Sequence, residues 1–276
     1  MSQIKIIISF FIMLPVIYGG GIDESENIIK VANEFYKKNQ FDFAIIEYER
    51  ANLLYPKNAM FISNQERIAE CYFKKGYFIE SIKVHQSILG VKNNYLNSVL
   101  KISHSYQMMN QYRKSNSLIN EYSDNFSGSK FDTLQIIKSS NYFALMKLDS
   151  AKFILKNISD KKLEMKVNKN IRIIKEFEQN TFKNPKVAKS LNIIFPGLGY
   201  LYIGLPETAV ATFVVESLFL YSTIMTYQNN YSIGTLFGGL FFTGFYFGSA
   251  YGAEQFAIKK KKRILLKYFK LLNNNS

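Results

Sequence analysis

Three regimes of hydrophobic patterning succeed one another along the chain. Behind Lys5, an apolar run covers Ile6 to Ile17, followed by Gly19-Gly20-Gly21 and the acidic Asp23-Glu24. A basic start, an apolar centre and small residues at a cleavage point predict a secretory signal peptide over 1–20. A run of about 12 apolar residues is short for a spanning helix, and an uncleaved N-terminal anchor is the alternative. From 25 to 160 apolar and polar residues alternate at helical spacing, and the stripe continues over 161–185 with Leu163, Val167, Ile171, Ile174 and Phe177 on one helix face, a capping or linker helix. Over 187–258 the chain is a membrane module of two or three hydrophobic segments. From Pro206 to Ala257 its only formal charges are Glu207, Glu216 and Glu254, whereas Lys and Arg crowd both flanks, the pattern of lipid-spanning helices. Residues 259–276 form a basic tail; with Lys267 and Lys270 among Leu, Tyr and Phe it is expected to lie on the bilayer surface. The expected fold is all-α, a helical-repeat solenoid followed by transmembrane helices.

Within 25–160 a period near 34 residues emerges. Ala32, Phe35, Phe41, Ala44, Tyr48, Ala51 and Pro56 set an order that recurs as Ala69, Tyr72, Phe78, Ser81, His85 and Ile88. It recurs again as Ser103, Tyr106, Tyr112, Ser115, Ile119 and Tyr122, and more faintly as Ser139, Tyr142, Leu148, Ala151, Leu155 and Ile158. Small residues let paired helices approach and aromatics fill the groove between them. Asn39, Gly76 and Asn110 fall where a left-handed residue turns the chain, and Pro56 falls where a second helix stops. These offsets resemble the tetratricopeptide repeat; for the later copies, where Ser replaces Ala, a related helical-hairpin array is the alternative.

The resemblance implies a partner-binding surface built from the first helix of each hairpin. Its candidate residues are Asn33, Tyr36, Lys37, Glu70, Phe73, Lys74, His104, Gln107 and Met108. Members of that family that clamp a terminal carboxylate place Lys, Asn and Arg at a set of these positions. Ile29 stands at the first of them here and Glu70 would repel the ligand, so that specificity is not transferred.

At 195–204 the motif Pro196-Gly197-x-Gly199-x-x-Tyr202-x-Gly204 resembles the opening of a family of small membrane domains without a defined activity, in which Gln is usual where this chain has Tyr200. Pro196 removes a donor and the glycines allow close approach, which predicts a broken or re-entrant segment. Gly244, Gly248 and Gly252 share one face at four-residue spacing and are expected to pack the two spans together, with homodimerisation as the alternative. Topology is in tension. A cleaved leader exports the repeats, yet two spans return Lys259-Lys260-Lys261-Lys262-Arg263 to the same side, against the positive-inside preference. A short third crossing over 189–204 would reconcile them, in a bacterial inner membrane with periplasmic repeats; two spans with cytoplasmic repeats are the rival.

Composition adds little chemistry. The formal net charge of +14 clusters beside the apolar spans and accompanies no nucleic-acid motif, so anionic lipid is the expected counterpart and nucleic acid is not. Cys71 is the only cysteine, which excludes an intrachain disulfide or a thiolate cage. No catalytic triad, metal-ligand cluster or phosphate loop is present, so the sequence implies no enzyme, no cofactor and no metal. His85 reads as core filler. The implied function is a membrane-anchored scaffold that binds a protein or peptide partner at the cell envelope; the alternative is a small transporter or enzyme using the intramembrane carboxyl of Glu216.

Overall fold

The computed structural model describes residues 23–56, 60–91 and 95–273; the signal peptide or anchor expected over 1–20 lies outside the described residues. Among them the chain is helical without strands, as its patterning requires. It forms two compact units, Met1–Asn141 and Tyr142–Ser276.

In the first unit, α1 (Asp23–Lys37) pairs with α2 (Phe41–Leu54), α3 (Phe61–Lys74) with α4 (Phe78–Val91), and α5 (Leu96–Met108) with α6 (Tyr112–Ser123), and each helix packs on the next in chain order. The long α7 (Ser129–Ala144) follows. Ala32, Ala44, Ala69, Ser103 and Ser115 are fully enclosed, as helix pairs that touch through small side chains require. Tyr48 and Ile119 fill the space between. Every hairpin turns in the same way. Asn39, Gly76 and Asn110 are left-handed, with φ of 58°, 80° and 57°. The amide that follows each of them reaches back five residues, Gln40 to Phe35, Tyr77 to Tyr72 and Gln111 to Tyr106, at 2.9, 2.9 and 2.8 Å. This double turn satisfies carbonyls that a helix end leaves orphaned.

Each junction between hairpins carries a buried polar contact. Asn64 Nδ2 donates to Asn52 Oδ1 at 2.9 Å between α2 and α3, and the His85 ring meets Ser98 Oγ at 3.2 Å between α4 and α5. Between α5, α6 and α7, Asn141 Nδ2 donates to Ser115 Oγ and Asn116 Oδ1, while Gln107 Nε2 donates to Asn141 Oδ1 at 2.7 Å. A buried amide left unmade costs about 1–3 kcal/mol, so these contacts penalise any slip of one hairpin on the next.

In the second unit, the end of α7 turns through Met146, left-handed at φ 60°, with Lys147 reaching back to Tyr142, into α8 (Leu148–Lys156). After a single 3₁₀ turn, α9 (Glu164–Glu178) packs on α8, with the Lys152 ammonium 2.6 Å from Glu178. Val167, Ile174 and Phe177 are buried on α9 as the stripe predicts, joined by Asn170 and Ile173, while Ile171 is only half-buried. Next come α10 (Pro185–Ile194), α11 (Leu198–Tyr202), α12 (Pro206–Gln228) and α13 (Ser232–Asn273). Of the described helices, α12 and α13 are long and apolar enough to cross a membrane.

Two sequence expectations meet this geometry. With 10 and 5 residues, α10 and α11 rise about 15 and 7 Å, each short of a hydrocarbon core of about 30 Å. The basic tail is not a separate helix. It continues α13, which runs unbroken for 42 residues, about 63 Å. Phe269 and Leu272 are buried, and Tyr268 packs edge-on against Phe177 of α9 at 5.5 Å. The tail's apolar stripe finds protein because α9 offers it one.

Candidate functional site

The nine groove candidates fall as three triplets at identical spacing, one on each of α1, α3 and α5. Their environments differ. Asn33 is half-buried and accepts from the Tyr48 phenol at 2.6 Å. Gln107 is buried, and its amide is spent on Ser140 and Asn141. It belongs to the core seam, which corrects its assignment to the open face. The reason is that α7 covers that side of α5 with polar residues of its own.

The remaining candidates form a continuous strip. The Arg67 guanidinium lies 5.2 Å over the Tyr36 ring and 3.2 Å from Glu70. One turn on, Phe73 stands between Phe78 and His104, with ring centroids 5.2 and 5.1 Å away. Lys37, Lys74, His104 and Met108 are exposed around it. Burial, with the Glu70 carboxylate second, pushes the Tyr36 phenol up to about 12, and burial holds the His104 imidazole below its usual range. At neutral pH the strip is therefore aromatic, and Arg67 offsets Glu70, leaving Lys37 and Lys74 as its free charges. Sequence reasoning missed Arg67. Its position three residues before Glu70 was the available signal.

Cys71, beside this strip in sequence, is fully enclosed, and burial pushes its thiol up to about 12. Such a thiol stays protonated and inert.

In the second unit the Pro-Gly motif is read by side chains. Gly197 is left-handed at φ 85°, and a Cβ there would meet the Ala209 carbonyl; a Cβ at Gly199 would meet the Ala188 carbonyl, Asn192 and Ala253. The chain can press α11 between α10, α12 and α13 because both are glycine. Asn192 Oδ1 accepts from the Gly197 amide at 3.0 Å, and Asn192 Nδ2 donates to Ser249 Oγ at 2.8 Å. Ser249 Oγ in turn donates to Glu216 Oε1 at 2.5 Å. This relay joins α10, the turn, α13 and α12. Glu216 is 2% exposed, and its Oε2 has no hydrogen-bond partner among the described residues. The helix-end carbonyls of Ile193 and Ile203 are taken by the Tyr246 hydroxyl and by Lys260 Nζ, while Lys189 pairs with Glu254 at 3.2 Å. Backbone groups freed in apolar surroundings need such partners. Tyr202 accepts from the Asn184 amide at 3.3 Å and lies under the Lys183 ammonium.

The glycine stripe of α13 does not pack the two long helices together. A Cβ at Gly244 or Gly248 would meet nothing within 4 Å, and Gly252 makes room for the Tyr200 hydroxyl. Close packing of α13 on α12 occurs instead at Gly234 and Gly238, against Thr226 and Thr223. Four-residue spacing determines that glycines share a face but not which neighbour that face meets.

No protein-family model matches the chain, and no curated protein matches it. Among solved structures, the chain is similar to the crystal structure of a tetratricopeptide repeat protein from Parabacteroides merdae ATCC 43184 at 2.39 Å resolution, with 12% identity over 88% of this chain and 99% of that chain and a TM-score of 0.45.

Proposed function

We propose that this protein is a membrane-anchored helical-repeat scaffold, in which the repeats of 25–160 hold a protein partner, 161–185 cap them, and 187–258 anchor the chain. The observation that carries the reading is the strip of half-buried Tyr36 and Phe73 with exposed Arg67 and His104, repeated on successive hairpins and flanked by Lys37, Lys74 and Met108. Its chemistry suits an extended segment with an apolar side chain over Phe73 and Met108 and carboxylates toward the two lysines. Aromatic and Arg anchors are the side chains that carry most binding energy in protein interfaces.

The anchor is the α12–α13 hairpin. A hairpin returns to the side it left, so the segments before α12 and after Ala257 share one face of the bilayer. The basic flank makes that face cytoplasmic by the positive-inside preference, which favours cytoplasmic repeats over periplasmic ones. Membership of the Pro-Gly membrane-domain family is supported by Pro196, Gly197, Gly199, Tyr202 and Gly204 in the cradle described above. Glu216 is read as part of the latch that fixes this cradle, since its buried carboxyl accepts from Ser249.

Affinity capture from detergent extracts tests the scaffold. Tyr36→Ala with Phe73→Ala should reduce recovery of the specific partner at least tenfold, whereas Glu216→Gln should leave it unchanged. Unchanged recovery with the first pair, or a loss confined to Glu216→Gln, would sink the reading.

A further inference from the structure

We propose that one face of α13, formed by Lys259, Lys262, Arg263, Lys267 and Lys270, is a binding surface for the headgroups of anionic phospholipids. The proposal rests on the reading that α12 and α13 cross a bilayer. After Glu254 the sequence holds seven Lys and Arg and no Asp or Glu. The helix sorts these cations. Lys260 Nζ donates to the Ile203 carbonyl at 3.0 Å and Lys261 lies 5.5 Å over the Phe182 ring, so both have partners on other segments, whereas Lys259 lies 5.9 Å over Phe256 of its own helix. Lys259 and the remaining four recur at helical spacing on one side, and with Leu266 they line an open concavity of about 490 Å³. All five are exposed.

The far side of the same stretch is braced, with Phe269 and Leu272 buried and Tyr268 packed on Phe177. The cationic face is therefore held outward by packing of its opposite side. Its place along the chain selects the ligand. Lys259 lies two residues past Ala257, where the apolar stretch ends, and the rise to Lys270 is about 16 Å. A headgroup layer of about 5–7 Å takes in Lys259, Lys262 and Arg263. A screening length of about 8 Å extends attraction toward Lys267 and Lys270. A bilayer presents phosphates at that depth by construction, whereas an acidic protein or nucleic acid would have to be delivered there. Arg263 binds a phosphate through its planar fork and the lysines supply point charges.

The test uses the full chain in neutral detergent micelles, with Tm followed as phosphatidylglycerol or phosphatidylcholine is added. Phosphatidylglycerol should raise Tm by about 3–5 °C and phosphatidylcholine should not, and 0.5 M NaCl should suppress the rise. The combined variant Lys262→Gln, Arg263→Gln, Lys267→Gln, Lys270→Gln should lose the rise with its lipid-free Tm unchanged. Should that variant fail to fold, the lipid and salt arms on the unaltered chain still decide. Equal shifts with both lipids, salt-insensitivity, or a full rise in the variant would overturn the proposal. So would a shift with polyglutamate or a DNA oligonucleotide but not with phosphatidylglycerol, which would assign the face to a protein or nucleic acid. Alkaline carbonate extraction of membranes separates this proposal from its premise: a chain that stays in the pellet but shows no lipid selectivity refutes the lipid face alone, and a released chain refutes the anchor.

Discussion

His85 occupies the position that Tyr48 holds in the first hairpin, with Ser98 as its partner across the junction. Burial lowers its pKa from 6.5 to about 4, against a smaller opposing pull from Glu66. Between those values the unfolded chain binds a proton that the folded chain refuses, so this contribution to stability is present above pH 6.5 and is lost as pH falls toward 4. The shift implies about 2–3 kcal/mol lost between pH 7.5 and pH 4.5. Urea unfolding at the two pH values should show that loss in the unaltered protein, and His85→Gln should remove it. An identical pH slope in both proteins would show that other groups control it. Side-chain identity made the core role of His85 legible, because the repeat offsets placed it at an enclosed position. Nothing local revealed that Gln107, next to the exposed Met108 and three residues after the exposed His104, would be claimed by Asn141 thirty-four residues on.

The recurring element is the hairpin turn. Asn39, Gly76 and Asn110 were readable in advance, since Gly and Asn enter the left-handed region at low cost. Met146 performs the same turn in the fourth hairpin without that advantage, at φ 60° and with its side chain 37% exposed. A non-glycine residue there costs about 1–2 kcal/mol, part of which glycine returns as unfolded-state entropy. Met146→Gly should therefore raise stability by about 0.5–1 kcal/mol, read as a higher urea midpoint with an unchanged slope. A lower midpoint would mean that the Met146 side chain packs more than its exposure indicates. The second recurrent device, the buried polar contact at each junction, was invisible in the sequence. Asn52 with Asn64 and Asn116 with Asn141 are amide pairs whereas His85 with Ser98 is not, and only packing brings each pair together.

For the whole molecule the decisive quantity is the number of crossings. On the proposed reading, in which α12 and α13 both cross a bilayer, the repeats and the end of α13 share one side of it. Lys114→Cys and Leu271→Cys, both at exposed positions, should resist a membrane-impermeant maleimide in intact cells and react after lysis. Cys71 can stay in place, because its enclosed thiol with a pKa pushed to about 12 gives a silent background. Labelling of both sites before lysis would put the repeats outside with a violated charge rule, and opposite behaviour of the two sites would require a third crossing.

Sequence alone determined what depends on local periodicity and residue type: helices at 3.6-residue spacing, small residues where helix pairs touch, turn residues with access to left-handed backbone, and two apolar stretches long enough for lipid. It also exposed the Pro-Gly motif, because Pro and Gly restrict or free the backbone wherever they occur. Tertiary structure alone decided which faces meet. A Cβ at Gly244 or Gly248 would meet nothing within 4 Å among the described residues, while Gly238 meets Thr223; the tail's apolar stripe meets α9; and of five consecutive cations, Lys260 and Lys261 contact Ile203 and Phe182 while Lys259, Lys262 and Arg263 line the open concavity. Periodicity places residues around a helix axis to within a few tens of degrees. The neighbour that each side of the helix meets depends on segments far away in the chain, and no local pattern carries that information.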